Sequence, residues 1–233
     1  MVRSGGEVIG RDDVLDDLRA WVERSRRGEG RILLVRGEAG IGKTTVVRAL
    51  VDSAGPGVRV LQGWCDDLLA ARPLGPVWDM SAADPDLRAA LDAGAPGLVR
   101  QRILDALVHR ASPTLVVVED VHWADGATID LLRLIGRRVD RSRLAIVLTM
   151  REVGPRHPVR TLIGDLPAAC VENVHLGPWS AEVIAGLAGD REVAERVRRA
   201  TGGNPYLVTA LLDATDPGVP TPSPTSSGAW CRG

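Results

Sequence analysis

The stretch RILLVRGEAGIGKTTVVRAL, residues 31–50, changes character twice along its length. Residues 32–35 are an unbroken apolar run, the mark of a strand buried on both faces. Residues 37–42 hold three glycines and predict a tight turn, and residues 44–54 predict the helix that follows. Strand, glycine-rich turn and helix form the setting in which G-x-x-x-x-G-K-[ST] binds phosphate, and GEAGIGKT satisfies that pattern. Glycines let the backbone bend sharply and aim successive amides at phosphate oxygens. The positive end of the helix adds to the attraction for an anion. Gly37, Glu38, Ala39, Gly40, Ile41, Gly42, Lys43, Thr44 and Thr45 are therefore the expected nucleotide-binding residues. Lys43 is expected to reach the β- and γ-phosphates and the Thr44 hydroxyl to hold magnesium. Of 29 basic residues Lys43 is the only lysine, standing where the motif requires one.

Outward from this unit, residues 11–24 predict a helix with acids early and bases late. Strands are predicted at 58–62, 115–118, 144–149 and 170–176, and helices at 97–110 and 125–138, with proline-broken sequence between 63 and 96. Apolar strands alternating with helices predict an α/β fold: a parallel sheet flanked by helices. Helices at 180–188, 191–200 and 205–212 predict a small C-terminal helical appendage, with Ser180 as a cap. The expected divisions are 1–177, 178–212 and a disordered tail, 213–233, whose prolines, serines and threonines leave little to bury.

LVVVED, residues 115–120, ends a strand in two carboxylates. Beside a phosphate-binding loop, Glu119 and Asp120 are expected to hold magnesium and orient the attacking water. Asp120 is a short base, which predicts slow hydrolysis. Thr149 and Arg151 follow from the next strand, where carboxyl ends converge on ligands. Thr149 is expected to bond the water or γ-phosphate and Arg151 to pair with the γ-phosphate. His109, His122, His157 and His175 have no metal-ligand spacing and read as structural, and the six tryptophans form no stripe for stacking bases. With no second lysine there is no N-K-x-D motif for guanine, which favours ATP.

A net charge of −1 gives no global pull towards nucleic acid or an anionic membrane. Cys65, Cys170 and Cys231 are scattered and odd in number, as in a reducing compartment. Neither a signal peptide nor an apolar run of ~18 residues is present, so the expected location is cytoplasmic, away from the membrane.

Five segments together resemble the ATPase domain of the large ATP-binding LuxR-family transcriptional regulators, members of the STAND class related to AAA+ proteins. They are VIGRDDVLDDL (8–18), GEAGIGKTT (37–45), WCDDLLAARPLGPVWDM (64–80), VVVEDVHWAD (116–125) and TGGNPYLV (201–208). The resemblance covers residues 8–212 and implies an AAA+/STAND-like P-loop NTPase. It implies that Gly10 and Arg11 lie near the adenine and Pro205 near the base, and that the order Glu119–Asp120 is typical of the group. Family members continue into winged-helix, repeat and helix-turn-helix regions, which are not seen here. The chain is accordingly expected to be a truncated or frame-shifted product, or an isolated ATPase module, without specific DNA binding of its own.

The leading expectation is an ATP–magnesium switch module with slow hydrolysis and nucleotide-dependent self-association. The alternatives are a non-hydrolysing nucleotide-binding scaffold, or a truncated inactive product. A DNA-associated loader would need a basic surface, and a small-molecule kinase an arginine-rich lid; neither is evident.

Overall fold

The computed structural model describes residues 12–68 and 72–215. Five parallel strands form one sheet: β1 (Arg31–Arg36), β2 (Arg59–Trp64), β3 (Thr114–Glu119), β4 (Leu144–Met150) and β5 (Val171–His175), in the order β2-β3-β4-β1-β5. The apolar run that predicts β1 therefore occupies an interior position, between β4 and β5. Registers bring the carboxyl ends level: Arg36 lies opposite both Met150 and His175, and Trp64 opposite Glu119. The loops after β1, β3 and β4 consequently emerge on one edge.

Side chains alternate across each strand, so each face of the sheet builds its own core. Leu33 and Val35 of β1 join Val117 and Val147 against Leu18, Trp21, Val46, Val47 and Leu50. Those partners come from α1 (Asp12–Arg26) and α2 (Lys43–Ser53). Ile32 and Leu34 face the other way, with Val116, Val118, Ile146 and Leu148. They meet α3 (Gly75–Met80), α4 (Pro85–Leu91), α5 (Pro96–Val108), α6 (Gly126–Gly136) and α7 (Pro158–Asp165).

The sequence reading leaves 63–96 as proline-broken and passes over 158–165; the structure places α3, α4 and α7 there. The reason is proline's asymmetry. Pro76, Pro85 and Pro158 sit in the first turn of their helices, where an amide has no helical partner to lose. Asp84 reinforces α4 by accepting from the Leu87 amide at 2.9 Å.

Contacts divide the chain after Gly177 into two compact units. The smaller holds α8 (Ala181–Ala188), α9 (Arg191–Thr201) and α10 (Pro205–Thr215), around Ile184, Ala194, Val197 and Val208. Helix α10 runs to Thr215, three residues past the expected 212. The rest of the tail, 216–233, lies outside the described residues.

Candidate functional site

The phosphate-binding loop bridges β1 and α2. Gly42, the residue before α2, has φ 99°, a left-handed conformation that costs any residue with a Cβ. Gly37 has φ 153°, and a Cβ there would come within 2.8 Å of the Leu176 carbonyl oxygen. Ile41 turns its side chain into the core that carries Val35 and Val47, leaving its backbone to the loop. The first helical bond of α2 runs from the Val46 amide to the Gly42 carbonyl. The amides of Lys43, Thr44 and Thr45 stand ahead of that ladder, as first-turn amides do. Lys43 is buried, and its Nζ donates to the carbonyls of Gly37 and Glu38, each at 2.9 Å. Burial lowers its pKa, with Arg151 adding to the effect; Asp120 and Glu119 oppose it.

The loop meets the acidic strand end directly. Thr44 Oγ1 donates to Glu119 Oε2 at 2.6 Å, although the two residues are 75 positions apart. Glu119 is only 4% exposed. Asp120 behaves differently: its backbone is left-handed, φ 54°, and its side chain is 43% exposed. Aspartate tolerates that conformation better than most residues. Two bonds hold it there: the Asp120 amide donates to Thr149 Oγ1 at 2.9 Å, and the Asp120 carbonyl accepts from the Trp123 amide at 2.8 Å. The pair is thus split, one carboxylate on the loop threonine and the other turned outward.

A carboxylate and a hydroxyl oxygen in contact suit magnesium, which takes hard oxygen donors and completes its shell with phosphate and water. Glu119 and Thr44 would hold it. Among the described residues there is no cluster of three or more His, Cys, Asp or Glu that could hold a metal on its own.

Thr149 is 1% exposed, and its oxygen accepts the Asp120 amide, so it shapes the turn after β3. Residue 149 lies inside β4, level with the sheet, which is why its side chain goes to the neighbouring strand end. Arg151, just beyond β4, is exposed, with no hydrogen bond or ion pair among the described residues, and close enough to Lys43 to depress its pKa. Gly10 and Arg11 lie outside the described residues. Pro205 opens α10 in the smaller unit.

His122, read from sequence as merely structural, belongs to this cluster. It sits in a single 3₁₀ turn, Val121–Trp123, directly after Asp120. The ring is 7% exposed, its Nδ1 is 3.8 Å from Asp120 Oδ1, and neither ring nitrogen has a hydrogen-bond partner among the described residues. Burial lowers its pKa; Asp120 opposes the shift, while Arg151, Lys43 and His157 add to it. The available signal was its place two residues after the acidic pair, which metal-ligand spacing cannot detect.

Asp125 is another residue the sequence reading passes over. Its Oδ1 accepts from the Ala127 and Thr128 amides, capping α6, and its Oδ2 accepts from the Leu74 amide at 3.2 Å. WCDDLLAARPLGPVWDM and VVVEDVHWAD are thereby tied together, and Cys65 adds a bond from its amide to the Glu119 carbonyl. Arg72 lies 3.3 Å above the Trp78 ring within the first of these segments.

Comparison with known proteins accords with this fold. A family model described as AAA ATPase domain matches residues 7–147. Among solved structures, the chain is similar to Drosophila ORC bound to DNA, at 16% identity over 91% of this chain and 56% of that one, TM-score 0.62. It is similar to the Aeropyrum pernix ORC1 protein in complex with DNA, at 17% identity over 90% and 60%, TM-score 0.56. A RuvB variant of Thermotoga maritima is 19% identical over 89% and 62%, TM-score 0.52. At such identities the likeness is one of fold, and the chain spans about three fifths of each of these structures. No curated protein matches. No helix among the described residues is long and apolar enough to cross a membrane.

Proposed function

Since this chain belongs to the AAA ATPase domain family, we propose that it binds ATP with magnesium and hydrolyses it slowly, as the switch module of a LuxR-like signalling regulator. The observation that carries the reading is the bond between Thr44 and Glu119, which joins the phosphate-binding loop to the acidic strand end. On ATP binding, Lys43 exchanges the carbonyls of Gly37 and Glu38 for the β- and γ-phosphates. The loop amides cradle the phosphates, and Arg151 pairs with the γ-phosphate. Thr44 and Glu119 would hold magnesium, which would supply positive charge to offset that of the phosphates. Asp120, turned away from Glu119, takes the proton of the attacking water, and with Glu119 and Thr44 it would hold magnesium through water. Its carboxylate is one carbon shorter than glutamate and partly in solvent, which keeps turnover slow. Thr149 keeps Asp120 in place.

Gly10, Arg11 and Pro205 contact the base in this proposal, on the strength of the resemblance alone. The division into an ATPase core, 1–177, a helical appendage, 178–212, and a tail, 213–233, is proposed likewise, as are nucleotide-dependent self-association, a cytoplasmic location and the lack of specific DNA binding. The tie between the 64–80 and 116–125 segments favours the LuxR-like assignment, because those segments carry the resemblance and pack as one piece.

ATP affinity and phosphate release test the reading together. Lys43→Ala should lose ATP binding. Asp120→Asn should keep it while releasing phosphate roughly 10²-fold more slowly. A parent that binds ATP without releasing phosphate is a scaffold. If Glu119→Gln stops turnover while Asp120→Asn does not, the two carboxylates have exchanged roles.

A further inference from the structure

We infer that His122 is the positioning residue for Asp120: its Nδ1–H donates to the Asp120 carboxylate and holds it for the attacking water. This rests on the reading of Asp120 as the base. Three observations carry it. The ring is 7% exposed and both its nitrogens lack hydrogen-bond partners among the described residues. Burying an imidazole N–H with nothing to receive it is costly, so a ring left in that state calls for a partner within reach. The partner in reach is Asp120, whose Oδ1 lies 3.8 Å from Nδ1, about 0.6 Å beyond a hydrogen bond.

The backbone makes closure a small movement. The Trp123 amide bonds to the Asp120 carbonyl, so His122 and Asp120 share one fixed turn. Thr149 pins the Asp120 amide from β4. What stays free is the Asp120 carboxylate, 43% exposed, while the His122 ring beside Trp123 (centroids 5.0 Å apart) is enclosed. A short rotation of the carboxylate closes the gap and removes a freedom that an exposed base otherwise has. The charges of Lys43 and Arg151 both act on the ring, so it sits near groups proposed to hold the phosphates.

The test uses the full chain, with ATP affinity, turnover at saturating ATP and melting temperature for each variant. His122→Ala should turn over on the order of 10- to 10²-fold more slowly, the scale of a misplaced catalytic group, with ATP affinity unchanged. Asparagine can place its amide N–H near the position of Nδ1, and glutamine near Nε2. His122→Asn should therefore stay within about threefold of the parent while His122→Gln is as slow as His122→Ala. Both amides keep a polar side chain of similar size, so this contrast survives if His122→Ala fails to fold. In an Asp120→Asn background, His122→Ala should cost nothing further. Parental turnover in His122→Ala, equal losses in the asparagine and glutamine variants, or additive losses in the double variant overturn the inference. Parental turnover in Asp120→Asn instead defeats the assignment of the base, whatever His122 does, and so does a parent without turnover.

Discussion

Removing the Thr44 hydroxyl leaves a buried carboxylate without its partner, and the size of the effect follows from the geometry. Thr44→Val keeps the shape of the side chain but deletes the donor to Glu119 Oε2, a 2.6 Å bond to a residue 4% exposed. Hydrogen bonds to charged groups contribute about 1.5–3 kcal/mol. Thr44 itself is exposed, so solvent screens one side of the bond and the lower half of that range applies, about 1.5–2 kcal/mol. At roughly 2–4 °C per kcal/mol for a chain of this size, the melting temperature should fall by about 3–8 °C. Glu119→Gln converts the bond to a neutral one worth about 0.5–1.5 kcal/mol, so Thr44→Val should cost less in that background. Thermal unfolding of the four proteins without nucleotide or magnesium measures this cycle. Equal losses in both backgrounds, or no loss at all, would show that the Thr44–Glu119 contact carries no charge-dependent stability.

Two further outcomes follow from packing. A Cβ on Gly63 would lie 2.2 Å from the Pro76 carbonyl oxygen and 2.6 Å from its Cα, so Gly63→Ala must push α3 off β2. It should cost about 1–3 kcal/mol or more by thermal unfolding, whereas Gly126→Ala, with nothing within 4 Å, should be neutral; similar melting temperatures for the two refute the argument. Burial and the nearby Asp125, Asp120, Asp66 and Asp79 push the Cys65 thiol up to about 12. Iodoacetamide at pH 8 should therefore spare Cys65 until the protein unfolds, and labelling of the native chain at that site, read by mass spectrometry, would contradict it.

The sheet was legible because β1, β3 and β4 are continuous apolar runs, which only a strand covered on both faces explains. The motif at Gly37–Thr44 likewise carries its own context, a strand before it and a helix after it. Helices α3, α4 and α7 were not legible, since a proline at a helix start and a proline that breaks a helix are the same letter. At the candidate site, the convergence of Lys43, Thr44 and Glu119 follows from parallel-sheet topology alone. The left-handed turn at Asp120 does not, because it depends on a Thr149 oxygen contributed from β4. His122 escaped for a related reason: what distinguishes it is the lack of a partner once buried, a property of packing and not of spacing.

The separation of the sheet's two faces has a consequence for how this domain tolerates change. Val35 and Val47 pack on one side, while Ile32 and Leu166 pack on the other, and the two clusters share no member. Substitutions that do not share partners combine nearly additively. Libraries that vary the α2 side and the α6–α7 side can thus be selected separately and then merged, with each solution kept intact. A lineage has the same freedom: the layer beneath the phosphate-binding loop can stay constant while the opposite layer drifts.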